Sequence, residues 1–595
     1  MAKITNHSNH SNHSNHSNVN YTGKIFSSSP LVILFILYFL ICGFRIWISF
    51  AFAGPQYIPD ETIYNSIAQS IVDGTFISSG AYASLVPPGY PLLLSISYLF
   101  GPDKIIIYHV QLILNALVAS AVLFPAYFFL RDWCTKEISL CGSALITTLP
   151  AISKATGLVV SENLFIPLIV FAFYFIYKSF KTDSTSIALL AGFLSFFVFL
   201  TRSTGIALLI ALVLGVIWYC CLCQKKEVPF VTTLRKKWGL LAGCFIPFAL
   251  WTIFLIGTGK NVVGYGQDAM PMTYVQNLGV NLIQYIQIFI LQIDYVLLTA
   301  YIVGVMVAMY AMYLILRQSS DITSVLKNNK NKNYEIEATA LCGITGFSVP
   351  LIVFLALASL PLITNLVPYM YGRYYDPILP ILFLFTMIGI QHLIAKKKIA
   401  KTHIYGIFVT SVVAAFLVTL TLGWNSHFDI LVNASLPYLY LLPASIGTAI
   451  ILILLGILFP AFLIMGSKSK LIMHAFLIVM LAMNIFISIP MFQTEIQFSN
   501  NFDNIGVIGK VIHYNIEPDA VIIWDNSSLD PFWNAIFYTL IDYWIENDLR
   551  SAHLTDIASS GDYSVLQDGD YIITALKGDT EPIYTSPSGL SMYHV

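Results

Sequence analysis

Residues 30–61 read PLVILFILYFLICGFRIWISFAFAGPQYIPDE. The first part, 30–50, is an apolar run long enough to cross a bilayer core of about 30 Å, which takes roughly 20 residues of helix. After a short turn it ends on Asp60-Glu61. Carboxylates so close to a membrane span are costly unless they face water or a polar cavity. The stretch therefore predicts a membrane-embedded fold and chemistry at the membrane surface.

The composition of all 595 residues agrees: 57% are hydrophobic and 10% charged, with a mean hydropathy of +0.75. The solvent of such a chain is mostly lipid, and nothing in it implies a nucleic-acid partner. Apolar runs recur near 30–50, 105–129, 138–157, 162–180, 186–201, 204–223, 239–257, 293–316, 338–359, 374–394, 404–423, 438–466 and 471–489. The expected fold is an α-helical polytopic membrane protein of about thirteen transmembrane helices. The run Tyr90 to Phe100 is too brief to cross and is bounded by prolines, so it reads as a re-entrant or interfacial helix.

Charge placement orients the spans. The formal net charge of -1 hides two halves: residues 492–595 hold 15 Asp and Glu against three basic residues, leaving 27 basic residues upstream. With a cytoplasmic N-terminus, 21 of those 27 fall in the tail or in cytoplasmic loops, among them Lys225, Lys226, Lys327 and Lys396 to Lys398, as the positive-inside rule requires. The acidic C-terminal region, Asp60 and Glu61 are then extracytoplasmic. Arg45, Lys104, Lys154, Arg202, Lys260 and Arg373 break the pattern, lying within spans or on the outer side. Singly each reads as a snorkelling side chain; as a group beside Asp60, Glu61 and Glu162 they read as the lining of an anion site.

Three domains follow. Residues 1–28, with their Asn-His-Ser repeat, form a disordered cytoplasmic tail. Residues 29–490 form the transmembrane domain, and residues 491–595, where short alternating runs such as Ala520 to Trp524 and Tyr571 to Thr574 flank a helical stretch from about Trp533 to Leu549, form a small α/β domain. The eight cysteines fall in spans or on the cytoplasmic side, so no disulfide framework is implied.

The first outer loop places Ile63, Ile67, Ala68 and Ile71 at helical spacing, predicting an amphipathic helix lying on the membrane with Asp60-Glu61 at its N-terminus. The helix dipole there favours ionised carboxylates, available as base or metal ligand; the plainer reading of Asp60 is an N-cap. Further motifs follow in order: Pro87-Pro88-Gly89-Tyr90-Pro91, Ser161-Glu162-Asn163, Leu200-Thr201-Arg202-Ser203-Thr204-Gly205, and Gly372-Arg373-Tyr374-Tyr375-Asp376-Pro377. With Asp60-Glu61, Tyr64, Ala68 and Gly74 they resemble the GT-C superfamily of polytopic glycosyltransferases, in the group of protein O-mannosyltransferases and lipid A aminoarabinose transferases. The resemblance covers about residues 30–390.

It implies transfer of a sugar from polyprenyl phosphate to an acceptor lipid, glycan or protein at the outer face of the membrane. The residue types suit that reaction. Arginine binds phosphate oxygens bidentately and stays charged, so Arg202 and Arg373, with Tyr374, Lys260 and Glu162 beside them, are the candidate substrate-binding residues. Asp60, with Glu61, is the candidate catalytic base for the acceptor hydroxyl. A single base implies inversion by direct displacement. A phosphodiester donor carries one negative charge, so no cofactor is required; Asp60, Glu61 and Glu162 form the oxygen set for Mg²⁺ or Mn²⁺ if a metal takes part. Two other classes fit the composition: a secondary transporter or flippase for a lipid-linked or anionic solute, and a non-catalytic membrane scaffold. In place of a catalytic role, Arg373 pairing with Asp376 would merely fix the end of a span.

Overall fold

The computed structural model describes residues 30–55, 59–75, 87–257, 282–317, 334–359, 371–395, 401–421, 457–466 and 469–517, and parts of 519–594. The N-terminal repeat, Lys260 and the loop 424–437 lie outside the described residues, as does most of the expected span 438–466. Helices dominate. The first, α1 (Pro30–Ser49), turns Leu40, Phe44 and Trp47 outward and buries Leu34, Cys42, Arg45 and Ile48. An apolar exterior around a partly polar interior is the arrangement of a helix whose solvent is lipid.

After α2 (Pro59–Val72) and α3 (Gly89–Leu94), which continues as a 3₁₀ turn to Phe100, come α4 (Lys104–Ser120), α5 (Leu123–Trp133), α6 (Lys136–Thr147) and α7 (Pro150–Ala155). Then follow α8 (Glu162–Lys181), α9 (Thr185–Thr201), α10 (Ile206–Gln224) and α11 (Phe230–Gly257). The remainder are α12 (Leu282–Thr299), α13 (Val303–Leu316), α14 (Tyr334–Ser359), α15 (Leu379–Ala395), α16 (Lys401–Thr421), α17 (Phe459–Gly466) and α18 (Lys470–Asn515).

Among the described residues nine helices are long and apolar enough to cross a membrane, ten if a bent pair counts as one span, against the thirteen expected. Two of the expected runs fall short of a single long helix, a third is bent, and most of 438–466 lies outside the described residues. The run 138–157 is broken after Thr147, because Pro150 has no amide to continue α6 and instead opens α7. The run 186–201 forms the short helix α9. The run 293–316 is the bent pair, turned by 95° between Thr299 and Val303, where Tyr301 and Ile302 take left-handed φ values of 56° and 53°.

Close helix packing rests on small residues. Gly243 of α11 faces Leu189 of α9 so closely that a Cβ would strike backbone, Gly192 of α9 returns the contact against Leu240, and Gly239 lies tightly against Ala188. Without a hydrophobic drive between helices in lipid, such surfaces are what permits dispersion contacts at backbone range.

The α18 helix runs through Pro490 without ending and carries the chain into the C-terminal region. There β1 (Val521–Asp525), β2 (Asp548–Ala552), β3 (Tyr571–Thr574), β4 (Tyr584–Thr585) and β5 (Ser591–His594) form one sheet in the order β2-β1-β3-β5-β4. The first three strands are parallel, and β5 runs antiparallel to β3 and β4. Leu549, expected at the end of a helix, pairs within β2. Ile522, Trp524, Ile573 and Met592 pack on Ile508 and Ile512 of α18. The sheet region also meets the membrane part: the Tyr543 hydroxyl donates to Lys104 O at 3.1 Å, and the Trp544 ring lies over both Gly54 and Gly509.

Candidate active site

Four charged side chains converge from four helix ends. Asp60 sits in the first turn of α2 and Glu162 in the first turn of α8, where the helix dipole favours carboxylates. Arg202 caps the C-terminus of α9, the end that favours a cation. Arg373 lies in a 3₁₀ turn, Gly372–Tyr374, just before α15. Arg373 Nη2 donates to Asp60 Oδ2 at 2.7 Å and to Glu162 Oε2 at 3.1 Å, while its Nε donates to Glu162 Oε1. Arg202 Nη1 lies 2.5 Å from Glu162 Oε1. Glu162 thus binds both guanidiniums. Its side chain is 5% exposed, against 41% for Asp60, so Asp60 is the member of the cluster that meets the outside.

Each sequence motif supplies a reason for this geometry. Gly89 lies against the last turn of α9, where a Cβ would stand 2.7 Å from Leu200 O; only glycine lets α3 abut the residues that deliver Arg202. Gly205 is likewise 2.7 Å from Val198 O by the same measure, folding the Arg-Ser-Thr-Gly turn under its own helix. Gly372 receives the Tyr295 ring, and the Tyr295 hydroxyl donates to Asp376 Oδ1 at 2.5 Å. Asn163 donates to the carbonyls of Ala155, Leu158 and Val160 at 2.6–3.1 Å, closing the loop that ends on Glu162.

Hydroxyls and rings complete the site. The Tyr64 hydroxyl donates to Ser161 Oγ at 2.9 Å, and Arg202 Nη1 donates to the same oxygen at 3.3 Å. The Arg202 guanidinium lies over the Tyr374 ring at 5.1 Å, and Tyr374 stacks on Tyr371 with centroids 5.0 Å apart. Such cation–π contact holds a guanidinium in place without consuming its N–H donors. Tyr64 and Ser161 stood in the sequence motifs with no assigned role, and Tyr371 carried no sequence signal, since one tyrosine in a tyrosine-rich stretch resembles the next.

Several expectations change. The α2 helix forms at the expected place, but it does not simply rest on the membrane by an isoleucine face. Glu61, Tyr64, Asn65, Ile67 and Ala68 are buried, whereas Ile63 and Ile71 are only half-buried. The reason is a polar seam: Glu61 Oε1 accepts from Val159 N at 2.7 Å, and the Tyr98 hydroxyl donates to Asn65 O at 3.1 Å. Glu61, paired in sequence with Asp60, is fully buried and pins the loop before Glu162.

The six exceptional cations do not form one lining. Arg202 and Arg373 share Glu162; Lys104 Nζ donates to Gln69 Oε1 at 3.3 Å; Lys154 is buried near Glu495; and Arg45 lies elsewhere, against Ser120 and Ser153. Lys260 is outside the described residues. Arg373 meets Asp60 and Glu162, while Asp376 takes Tyr295, so the expected alternative of an Arg373–Asp376 pair is not the arrangement present.

The three carboxylates named for a metal are not gathered on one point. Asp60 and Glu162 are engaged by Arg373, Glu61 by a backbone amide, and among the described residues no group of three or more His, Cys, Asp and Glu side chains is placed to hold an ion.

Fold and site together define a multi-pass helical membrane protein with a carboxylate–arginine cluster built from helix termini and a small mixed-sheet region carried on its last helix. Among solved structures, the chain is similar to ArnT from Cupriavidus metallidurans bound to undecaprenyl phosphate, over 93% of both chains, at 11% identity and a TM-score of 0.48. It is similar to the same protein in the apo state over 92% of this chain and 93% of that one, also at 11% identity and 0.48. No family model and no curated protein matches the sequence. A likeness at this level is one of overall course and carries nothing about activity.

Proposed function

We propose that the protein is a membrane glycosyltransferase of the GT-C type that moves a sugar from a polyprenyl-phosphate donor to an acceptor hydroxyl at the extracytoplasmic face. The observation that carries this reading is the double salt bridge of Arg373, which holds the partly exposed Asp60 and the buried Glu162 at once. In the reaction the bond between anomeric carbon and phosphate breaks while the acceptor oxygen attacks. Negative charge then collects on the lipid phosphate as the acceptor hydroxyl loses its proton. Guanidinium donors fixed in a site shielded from water stabilise such a leaving group without reorganising.

The four side chains sum to zero charge, so a phosphate monoanion enters by displacing one carboxylate from a guanidinium. Asp60 is the one to yield, because Glu162 is bound by two arginines and Asp60 by one of them. Donor binding therefore frees the base it needs: the phosphate takes Arg373 Nη2, and the released Asp60 carboxylate accepts the acceptor proton. Glu162 stays in place and holds both arginines against mutual repulsion. Tyr371 and Tyr374 offer stacked rings for the sugar or the acceptor. A single base acting with direct displacement inverts the anomeric centre. Mg²⁺ or Mn²⁺ has no part in this scheme, and chelation with EDTA should leave the rate unchanged.

The bent pair α12 and α13 is the one feature that also suits a transporter, but repeats of that kind place two broken helices at corresponding positions, and only one such pair stands among the described residues. The deciding experiment incubates membranes holding the protein with labelled polyprenyl-phosphate sugars and follows label into acceptors. Asp60→Asn keeps the shape of the side chain and removes its basicity. It should leave the donor bound and lower turnover by a factor on the order of 10² to 10⁴. Near-normal transfer by that variant removes Asp60 from the mechanism, and an absence of transfer from every donor removes the reading.

A further inference from the structure

Arg45 lies near the end of α1, away from the cluster of Arg202 and Arg373, and the proposed chemistry does not use it. It is 3% exposed. Its Nη1 donates to Ser120 Oγ at 3.0 Å, and its Nη2 donates to Thr147 O at 2.6 Å and to Ser153 Oγ at 3.2 Å. All three acceptors are neutral. Thr147 is the last residue of α6, and its carbonyl has no helical partner, so the guanidinium serves as a C-terminal cap. That cap answers part of the charge: a helix terminus contributes about half an elementary charge, whereas Arg45 brings a full cation into a membrane span, where an unanswered charge is costly. Among the described residues no Asp or Glu forms an ion pair with Arg45, and two of its five N–H donors have no protein acceptor.

Beside Arg45 runs a groove of about 840 Å³ between α1 and α18, within the roughly 300–1,000 Å³ of ordinary ligand sites. Its walls are Phe44, Trp47, Ile485 and Ile489, all exposed, with Trp47 71% exposed and Ile489 45%. The polar lining is confined to Arg45, Thr148, Ser153, Ser488 and Gln493. Arg45, in contact with Ser153, thus makes part of the lining cationic and hydroxyl-bearing, and the walls are surfaces that the bilayer itself wets.

We propose that this groove is a binding site for an anionic membrane phospholipid, whose phosphate completes the charge of Arg45 and whose acyl chains lie between α1 and α18. Two observations favour that occupant over a protein helix: a cation with no carboxylate partner among the described residues calls for an anion, and apolar walls open to lipid call for chains supplied by the bilayer. Basic pockets between membrane helices recognise lipid phosphates by this chemistry. The proposal does not depend on the transferase reading.

The test is native mass spectrometry of the full chain extracted from lipid nanodiscs holding equal phosphatidylglycerol and phosphatidylcholine. The wild type should retain one phosphatidylglycerol in preference to phosphatidylcholine by about tenfold. Ala51→Trp fills the mouth of the groove and leaves the three hydrogen bonds of Arg45 in place. It should bring the two lipids to near-equal retention with an unchanged circular dichroism spectrum. Arg45→Gln should do the same if it folds; if it does not, the Ala51→Trp result decides alone. Equal retention by the wild type, or a preference that survives Ala51→Trp, overturns the site. Release of the bound phosphatidylglycerol by millimolar inorganic phosphate would show an anion site without a lipid groove and would overturn it equally.

Discussion

A charged residue in a membrane span is too costly to be idle, and this made Arg202, Arg373, Glu162 and Asp60 legible before any fold was known. Which of them meet was not legible, because sequence gives neither depth nor azimuth. Asp60 and Glu61 show the limit. Neighbouring residues on a helix point about 100° apart, so one faces Arg373 and the other the amide of Val159. The same argument separates Arg45 and Lys154 from the cluster they were grouped with. At this scale the decisive contrast is between Arg373 and Asp376. Lysine at 373 keeps the charge but cannot span two carboxylates with a planar fork. Arg373→Lys should weaken donor use in part and Arg373→Ala should abolish it, with both proteins still inserted. Asp376→Ala removes the acceptor of the Tyr295 hydroxyl, a loss of about 1–3 kcal/mol if that group stays buried, and should lower the melting temperature while transfer persists. Equal behaviour of the alanine variants, both unstable and both active, would reduce Arg373 to a structural role.

Among the elements, the long spans followed from hydropathy because a helix in the bilayer, whether it meets lipid as α1 does or other helices as α8 and α15 do, must be mostly apolar, and α1, α8, α10 and α15 fall where expected. Breaks were less visible. Pro150 and the left-handed pair Tyr301-Ile302 interrupt runs whose average hydropathy does not change. Glycines reveal where an element must approach another, which the motifs contained without explaining. Gly89 tests this directly. Valine there would place methyls into Leu200 O and push α3 from the end of α9, at a cost of about 1–3 kcal/mol for overpacking. It would also displace the Arg202 beyond. Gly43 is also helical, but a Cβ there meets nothing within 4 Å, so Gly43→Ala should be neutral or slightly stabilising. Measured side by side, Gly89→Val should lose transfer and thermal stability and Gly43→Ala neither; intact transfer in Gly89→Val would mean that the contact does not position Arg202.

For the whole molecule, the asymmetry of 21 basic residues out of 27 predicts that cysteine labelling finds the N-terminal tail and the loop 396–401 on the cytoplasmic side and the region after Pro490 outside. A cytoplasmic C-terminus would place Asp60 and its partners on the wrong face for the proposed donor. The sheet region was legible as α/β from its alternating runs, but its attachment was not: sequence suggested a change of region near Pro490, and the structure passes one helix through it. That helix makes the attachment a matter of phase. Ser499 Oγ accepts from Ala53 N and donates to Gly54 O, both at 3.1 Å, while Gly509 and Gly54 together hold the Trp544 ring. Between Ser499 and Gly509 the helix advances about 15 Å, so α18 acts as a ruler and a gear for the sheet it carries. One residue inserted between those two positions turns everything beyond by about 100° and takes Trp544 off Gly54. Seven residues restore the angle to within about 20° but raise the sheet by about 10 Å. Protease protection around Tyr543 and Trp544 should vanish in both insertions if height and angle are both required, and return in the seven-residue insertion alone if angle is what the clamp reads.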